Sequence, residues 1–185
     1  MKIIGALWLT WLAIWIVTAF RVKHTQRIES RGSRLVHDAA MLAGALLLAV
    51  PRILGPALEL RFHHHSLAWF VTGTVLVALG LCFSVVARFW LGRNWSGSVT
   101  VKQDHELIRS GPYALVRHPI YTGMLTALIG TALVIGNGRA ALGLAVLLAG
   151  LLYKIGVEER FMSEQFGEAY ARYRREVPAL IPFVI

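Results

Sequence analysis

The stretch PIYTGMLTALIGTALVIGNGRAALGLAVLLAGLLYKIGVEE, from Pro119 to Glu159, decides what kind of protein this chain is. Pro119 to Gly138 carries no charge, and after Arg139 a second apolar run extends from Ala140 to about Val157. A helix of about 20 apolar residues is as long as a hydrocarbon core of about 30 Å is thick. Asn137-Gly138 is a tight-turn signal. The pattern predicts two membrane-spanning helices in an antiparallel hairpin. Gly123, Ala127 and Gly130 share one helical face, as do Gly143 and Gly150, which predicts close contact between the two arms.

Upstream, the reading repeats. Ile3 to Phe20, Ala39 to Leu58 and Ser66 to Ala87 make three further spans. In the second, Pro51 is read as a kink and Arg52 as a side chain extending to a nearby interface. The first is a retained span rather than a cleaved leader, since it is long, holds three Trp and meets no small-residue cleavage site before Arg21. Downstream, Glu158 to Arg175 sets Phe161, Met162, Phe166, Tyr170 and Tyr173 at helical spacing among charges. That is an amphipathic helix on a membrane surface, ended by Pro178 and Pro182.

The expected architecture is an all-α integral membrane protein with about five transmembrane helices and a C-terminal amphipathic helix. Residues 1–97 hold three spans; residues 98–185 form the region that carries chemistry. Composition agrees: 56% hydrophobic residues, 16% charged and a mean hydropathy of +0.59 leave more apolar surface than a soluble core can use. The formal charge of +9 does not imply nucleic acid, because the basic residues fall between the apolar runs. Five Lys and Arg lie in Arg21 to Arg34, five in Arg88 to Arg117, five in Lys154 to Arg175 and four elsewhere. The excess of positive charge in cytosolic loops then puts the N-terminus outside and the C-terminus in the cytosol. The lone Cys82 excludes an intramolecular disulfide and is read as a small buried residue.

Two polar pieces, Asp104 to Tyr121 and Lys154 to Tyr173, return to the same membrane face because the hairpin joins them. In the first, Gly111-Pro112 turns the chain, Pro119 suits the first helical position and His118 is placed to cap the helix, with Tyr121 on the same face. In the second, Lys154 and Glu158 stand four residues apart on one face, beside Glu159. Taken singly, these are an ion pair and interfacial anchors. His63-His64-His65 is read as a solvated loop, with no metal site. Trp95, flanked by Asn94 and Ser96, is read as an interfacial anchor.

Together, GPYALVRHPIYTG at Gly111 to Gly123 and EERFMSEQFGEAYARY at Glu158 to Tyr173, followed by Val177-Pro178, resemble the isoprenylcysteine carboxyl methyltransferases and their relatives, the phospholipid N-methyltransferases. The resemblance covers roughly Ser98 to Phe183. It implies S-adenosyl-L-methionine as cofactor, held by His105, Glu106, Leu107, Ile108, Tyr113, Arg117, His118, Pro119, Ile120, Tyr121 and Glu158. It implies Lys154, His118 and Tyr121 as the catalytic set. Lys154 stands where the eukaryotic enzymes have an arginine for substrate, a departure that exchanges a bidentate fork for a point charge.

The resemblance further implies a multi-pass protein of a cell inner membrane or endoplasmic reticulum-type membrane, with its active site facing the cytosol. The cofactor would enter from the cytosol and a lipidic or prenylated acceptor from the bilayer. Carboxyl methylation needs no general base, because the acceptor is ionised at neutral pH. N-methylation of an aminophospholipid is the alternative chemistry, and a membrane scaffold or small transporter the alternative class.

Overall fold

The computed structural model describes residues 1–19, 25–64, 66–92, 95, 100–102 and 107–182. Its helices are α1 (Lys2–Ala19), α2 (Arg31–Ala49), α3 (Leu67–Leu91), α4 (Pro112–Leu115), α5 (Pro119–Ile135), α6 (Gly138–Phe166) and α7 (Glu168–Glu176). By length and composition α1, α3 and α6 can each cross a membrane, while the apolar α5 is shorter, at 17 residues. Two short strands, β1 (Thr25–Ile28) and β2 (Thr100–Lys102), pair antiparallel and add a small ribbon to the expected all-helical architecture.

The second apolar run folds differently from its expected Ala39 to Leu58 span. Helix α2 starts at Arg31, where the Ser30 side chain accepts from the backbone nitrogen of Ser33, and ends at Ala49. Pro51 disfavours helical geometry in the residue before it, and Val50 is extended (φ −104°, ψ 109°), so the helix stops where a kink was expected. Arg52 therefore sits in a turn with φ 59°, its backbone N–H donating to Glu59, and does not extend from a helix. The C-terminal segment also differs. Helix α6 runs unbroken through Glu158 to Phe166, and Gly167 (φ 50°) ends it before α7, so the expected single amphipathic helix is two pieces.

The small residues of the hairpin face other partners than each other. Gly123 and Gly130 of α5 pack on α3, where an added Cβ would stand 2.7 Å from the Ser84 nitrogen and 2.9 Å from the Val77 nitrogen. Gly80 of α3 is notched in return against Ala127. Gly143 and Gly150 of α6 pack on α2, with the Gly44 carbonyl 3.1 Å and the Ala40 Cβ 2.9 Å from their added Cβ positions. Between lipid-facing helices close backbone approach is the main source of attraction, and here the small-residue faces of the two arms are taken by α3 and α2. The arms share instead the cluster of Leu128, Leu147 and Leu151.

Helix α1 is fastened by its tryptophans: Trp8 donates to the Thr131 hydroxyl at 3.1 Å and Trp11 to that of Ser84 at 2.8 Å. Cys82 is exposed on α3, not buried, because it lies off the face that meets α5. His63 is a structural contact, not a solvated loop residue, since its ring is bonded to the Leu133 carbonyl oxygen at 2.9 Å and stacks on Trp69. His65 lies outside the described residues. At the turn between α5 and α6, Glu59 accepts from Asn137 and Arg139, each at 2.7 Å.

These contacts predict that Gly80→Val or Gly130→Val costs at least 1–3 kcal/mol through overpacking. Thermal melts of the detergent-purified protein should show a clear drop for both, whereas Gly5→Ala, within α1 and with nothing near its added Cβ, should not lower the melt.

Candidate active site

The site forms where the start of α5 meets the C-terminal half of α6. Gly111 (φ 60°) lies under the Trp90 ring and admits no side chain there, which turns the chain into α4. Pro119 fills the first helical position of α5 and is fully buried. His118 occupies the N-cap position (φ −122°, ψ 61°), but its side chain does not cap the helix. Its ring turns instead toward α6.

There it meets two neighbouring carboxylates. His118 Nδ1 lies 3.5 Å from Glu158 and Nε2 3.3 Å from Glu159. The ring is 9% exposed and lies nearly parallel to that of Tyr121, 5.8 Å away. The Tyr121 hydroxyl donates to Glu158. Glu159 serves a different set: Arg117 donates to it through Nε at 2.9 Å and Nη2 at 2.7 Å, and Arg174 approaches at 3.3 Å. Arg117 Nη1 is also taken, by the carbonyls of Arg174 and Val177. Glu159 is 13% exposed and Glu158 24%, so Glu158 is the acid with an open side.

Lys154, one turn before Glu158, holds its ammonium 5.8 Å from the centre of the Tyr121 ring. Ala87, Tyr113 and Ile120 form an apolar wall against Tyr121, and Ile108, Trp15 and Trp95 extend it. The motifs thus bring His118, Tyr121, Lys154 and Glu158 into one cluster, with Tyr113, Ile108, Pro119 and Ile120 lining it. Arg117 is drawn into the framework. Leu107 is half-buried, while His105, Glu106, Asn94 and Ser96 lie outside the described residues. Among the described residues no group of His, Cys, Asp or Glu could hold a metal.

Burial alone would strip the His118 ring of its proton. Hydrogen bonds to Glu158 and Glu159, with their charges, outweigh that effect and raise the pKa above the ordinary histidine value.

Three polar features near this region escaped the reading of the sequence. Arg88, counted among the basic residues between the apolar runs, is 2% exposed, donates to the Thr18 and Gly92 carbonyls and stacks over Trp95 at 4.1 Å. A charge at the end of an apolar run was the available signal. Trp95 is accordingly packed between Arg88 and Trp15, beyond the anchor role expected of it. Glu29 and His37 form a buried pair at 3.1 Å, with Ser33 donating to Glu29. Eight residues of separation across a helix start left no pattern to find.

The sequence pattern of the isoprenylcysteine carboxyl methyltransferase family matches residues 71–164, just over half of the chain. The chain belongs to this family. Among relatives in the isoprenylcysteine carboxyl methyltransferase family, it is 32% identical to the protein-S-isoprenylcysteine O-methyltransferase of Homo sapiens over 155 residues, covering 81% of this chain and 52% of the human protein. It is 33% identical to that of Saccharomyces cerevisiae over 132 residues, with 68% and 55% coverage. It is 29% identical to protein-S-isoprenylcysteine O-methyltransferase B of Arabidopsis thaliana over 121 residues, with 63% and 61%. A solved structure of a eukaryotic intramembrane Ras methyltransferase of the family superposes with a TM-score of 0.59 at 25% identity, covering 84% of this chain and 55% of that one. The chain therefore spans half to three-fifths of these relatives and shares a helical, multi-pass membrane fold with them.

Because the folded pKa of His118 lies above its unfolded value near 6.5, the stabilisation from its two carboxylate contacts is complete below about pH 6.5 and is lost as pH rises through the folded value. The difference in melting temperature between the wild type and His118→Gln should therefore be largest in acid and shrink with rising pH. A difference independent of pH would sink the assignment.

Proposed function

We propose that this protein is an S-adenosyl-L-methionine-dependent membrane methyltransferase that methylates the carboxylate of an isoprenylcysteine-like lipidic acceptor. The observation that carries this reading is the partly exposed Glu158 carboxylate, held by Tyr121 and His118 and set one turn from Lys154. The names of the relatives supply the chemistry to test.

The donor set fits the cofactor. A carboxylate with one side taken by Tyr121 and His118 keeps acceptor capacity for an ammonium or for ribose hydroxyls. Ile108, Tyr113 and Ile120 offer apolar walls, and His105 and Glu106 belong to the same assignment by resemblance. When bound, the cofactor supplies an electrophilic methyl group on a sulfonium. The chain's own residues place, neutralise and dry the acceptor. Lys154 provides the positive charge for its carboxylate, and Tyr121 fixes Glu158 so that the donor side does not drift. Alignment of reacting atoms can lower a barrier by about 7 to 11 kcal/mol, so the site needs no nucleophile and no metal.

N-methylation of an amine would need a base. His118 or Glu159 would have to serve as that base, whereas a carboxylate acceptor needs none. Five spans, an external N-terminus and a cytosolic site complete the proposal, on the fifteen-to-four distribution of Lys and Arg.

Glu158→Ala should abolish S-adenosyl-L-methionine binding by calorimetry while the protein remains folded. Lys154→Met should leave that binding intact and raise the KM for a prenylcysteine analogue at least tenfold. Labelled methyl incorporated by the wild type should be released by alkali, as an ester requires. Alkali-stable label would instead identify an N-methyltransferase, and no cofactor binding by the wild type would identify a scaffold or transporter.

A further inference from the structure

Beyond α7 the chain does not leave the molecule. Pro178 biases Val177 to extended geometry (φ −127°, ψ 125°), and the segment runs back across the start of α5. The backbone N–H of Arg117 donates to the Pro178 carbonyl at 2.8 Å, and that of His118 to the Ala179 carbonyl at 3.0 Å. The Thr122 hydroxyl lies 2.7 Å from the Leu180 carbonyl oxygen, nearer than the His118 carbonyl of its own helix at 3.2 Å. Arg117 reaches the Arg174 and Val177 carbonyls through its side chain. From α7, the buried Tyr173 donates to the Tyr113 carbonyl at 2.6 Å. Burial pushes the Tyr173 hydroxyl up to about 12, so it keeps its proton at any usable pH.

These bonds gather around Arg117 and His118, whose backbone N–H groups are both taken by the C-terminal segment. The His118 backbone is not helical and its side chain caps nothing, so the direction of the ring, parallel to Tyr121 and between two carboxylates, depends on how that backbone is held. We propose that Val177–Leu180 is a positioning strap for the donor site. It holds the His118 backbone so that the ring stands between Glu158 and Glu159, and it locks Arg117 on Glu159 so that Glu158 alone remains for a ligand. The strap meets His118 through its backbone N–H and Arg117 through backbone and side chain, and it lies beyond residues 71–164, the part matched by the family. The inference rests on the reading of Glu158 as the cofactor acid.

Thr122→Val removes the hydroxyl that grips Leu180, Tyr173→Phe removes the grip of α7 on Tyr113, and Thr122→Ser restores the first. Calorimetry with S-adenosyl-L-methionine on the full chain in lipid nanodiscs should show Kd raised about fivefold to tenfold for Thr122→Val and for Tyr173→Phe, the effect of one lost hydrogen bond. Thr122→Ser should stay within about twofold of the wild type. The His118 titration, followed by NMR of ring-labelled histidine, should move toward the ordinary histidine value in both loosened variants. Lowered melting temperatures with unchanged Kd and unchanged titration would overturn the strap and leave a merely structural tail. Should Thr122→Val not fold, Tyr173→Phe carries the same test. If the wild type binds no cofactor, the functional reading falls, while the His118 titration still decides whether the strap positions that ring.

Discussion

Two adjacent carboxylates on one helix, Glu158 and Glu159, cannot point in the same direction, since neighbours on a helix are about 100° apart. Much of the protein is arranged around that divergence. Glu159 turns toward Arg117, His118 and Arg174 and welds the start of α5 to α6 and the C-terminal segment. Glu158 turns toward Tyr121 and the other nitrogen of His118, with a quarter of its side chain open. One residue serves the architecture, which leaves its neighbour to the ligand that the proposed function assigns it. His118 touches both and ties them together electrically.

That division explains how charge is tolerated so near an apolar bundle. Arg117 has every nitrogen of its guanidinium satisfied, by one carboxylate and two carbonyls. A buried cation so arranged costs little to keep and would cost several kcal/mol to strip of a partner. Arg88 is held otherwise, by two carbonyls and the face of Trp95, and so relies on dipoles and a ring quadrupole instead of a counter-charge.

The apolar runs of α1, α3, α5 and α6 were legible because a bilayer imposes length and composition directly on sequence. The pairing of helices was not. Gly123 and Gly150 announced close contacts, but a small residue reveals that something approaches and not what; α3 and α2 took the places assigned to the hairpin arms. Pro51 was legible as an interruption, though not as an ending. In the site, His118, Tyr121, Lys154 and Glu158 could be placed together because two motifs share a turn at Asn137-Gly138. The Glu29–His37 pair and the burial of Arg88 were invisible, since both arise from packing between segments with no common period.

Helix α6 adds a consequence of scale. It is 29 residues long, and Glu158 stands roughly 30 Å along its axis from Gly138, about one hydrocarbon thickness. Gly138 itself is pinned at the far turn by the Glu59, Asn137 and Arg139 cluster. The helix is thus a ruler with a fixed zero, and the carboxylate is its graduation mark. Under the proposed function, a tail dissolved in the bilayer would bring its polar head to that same height, so distance along one rod would set the meeting level of a lipid-borne group and a water-borne one.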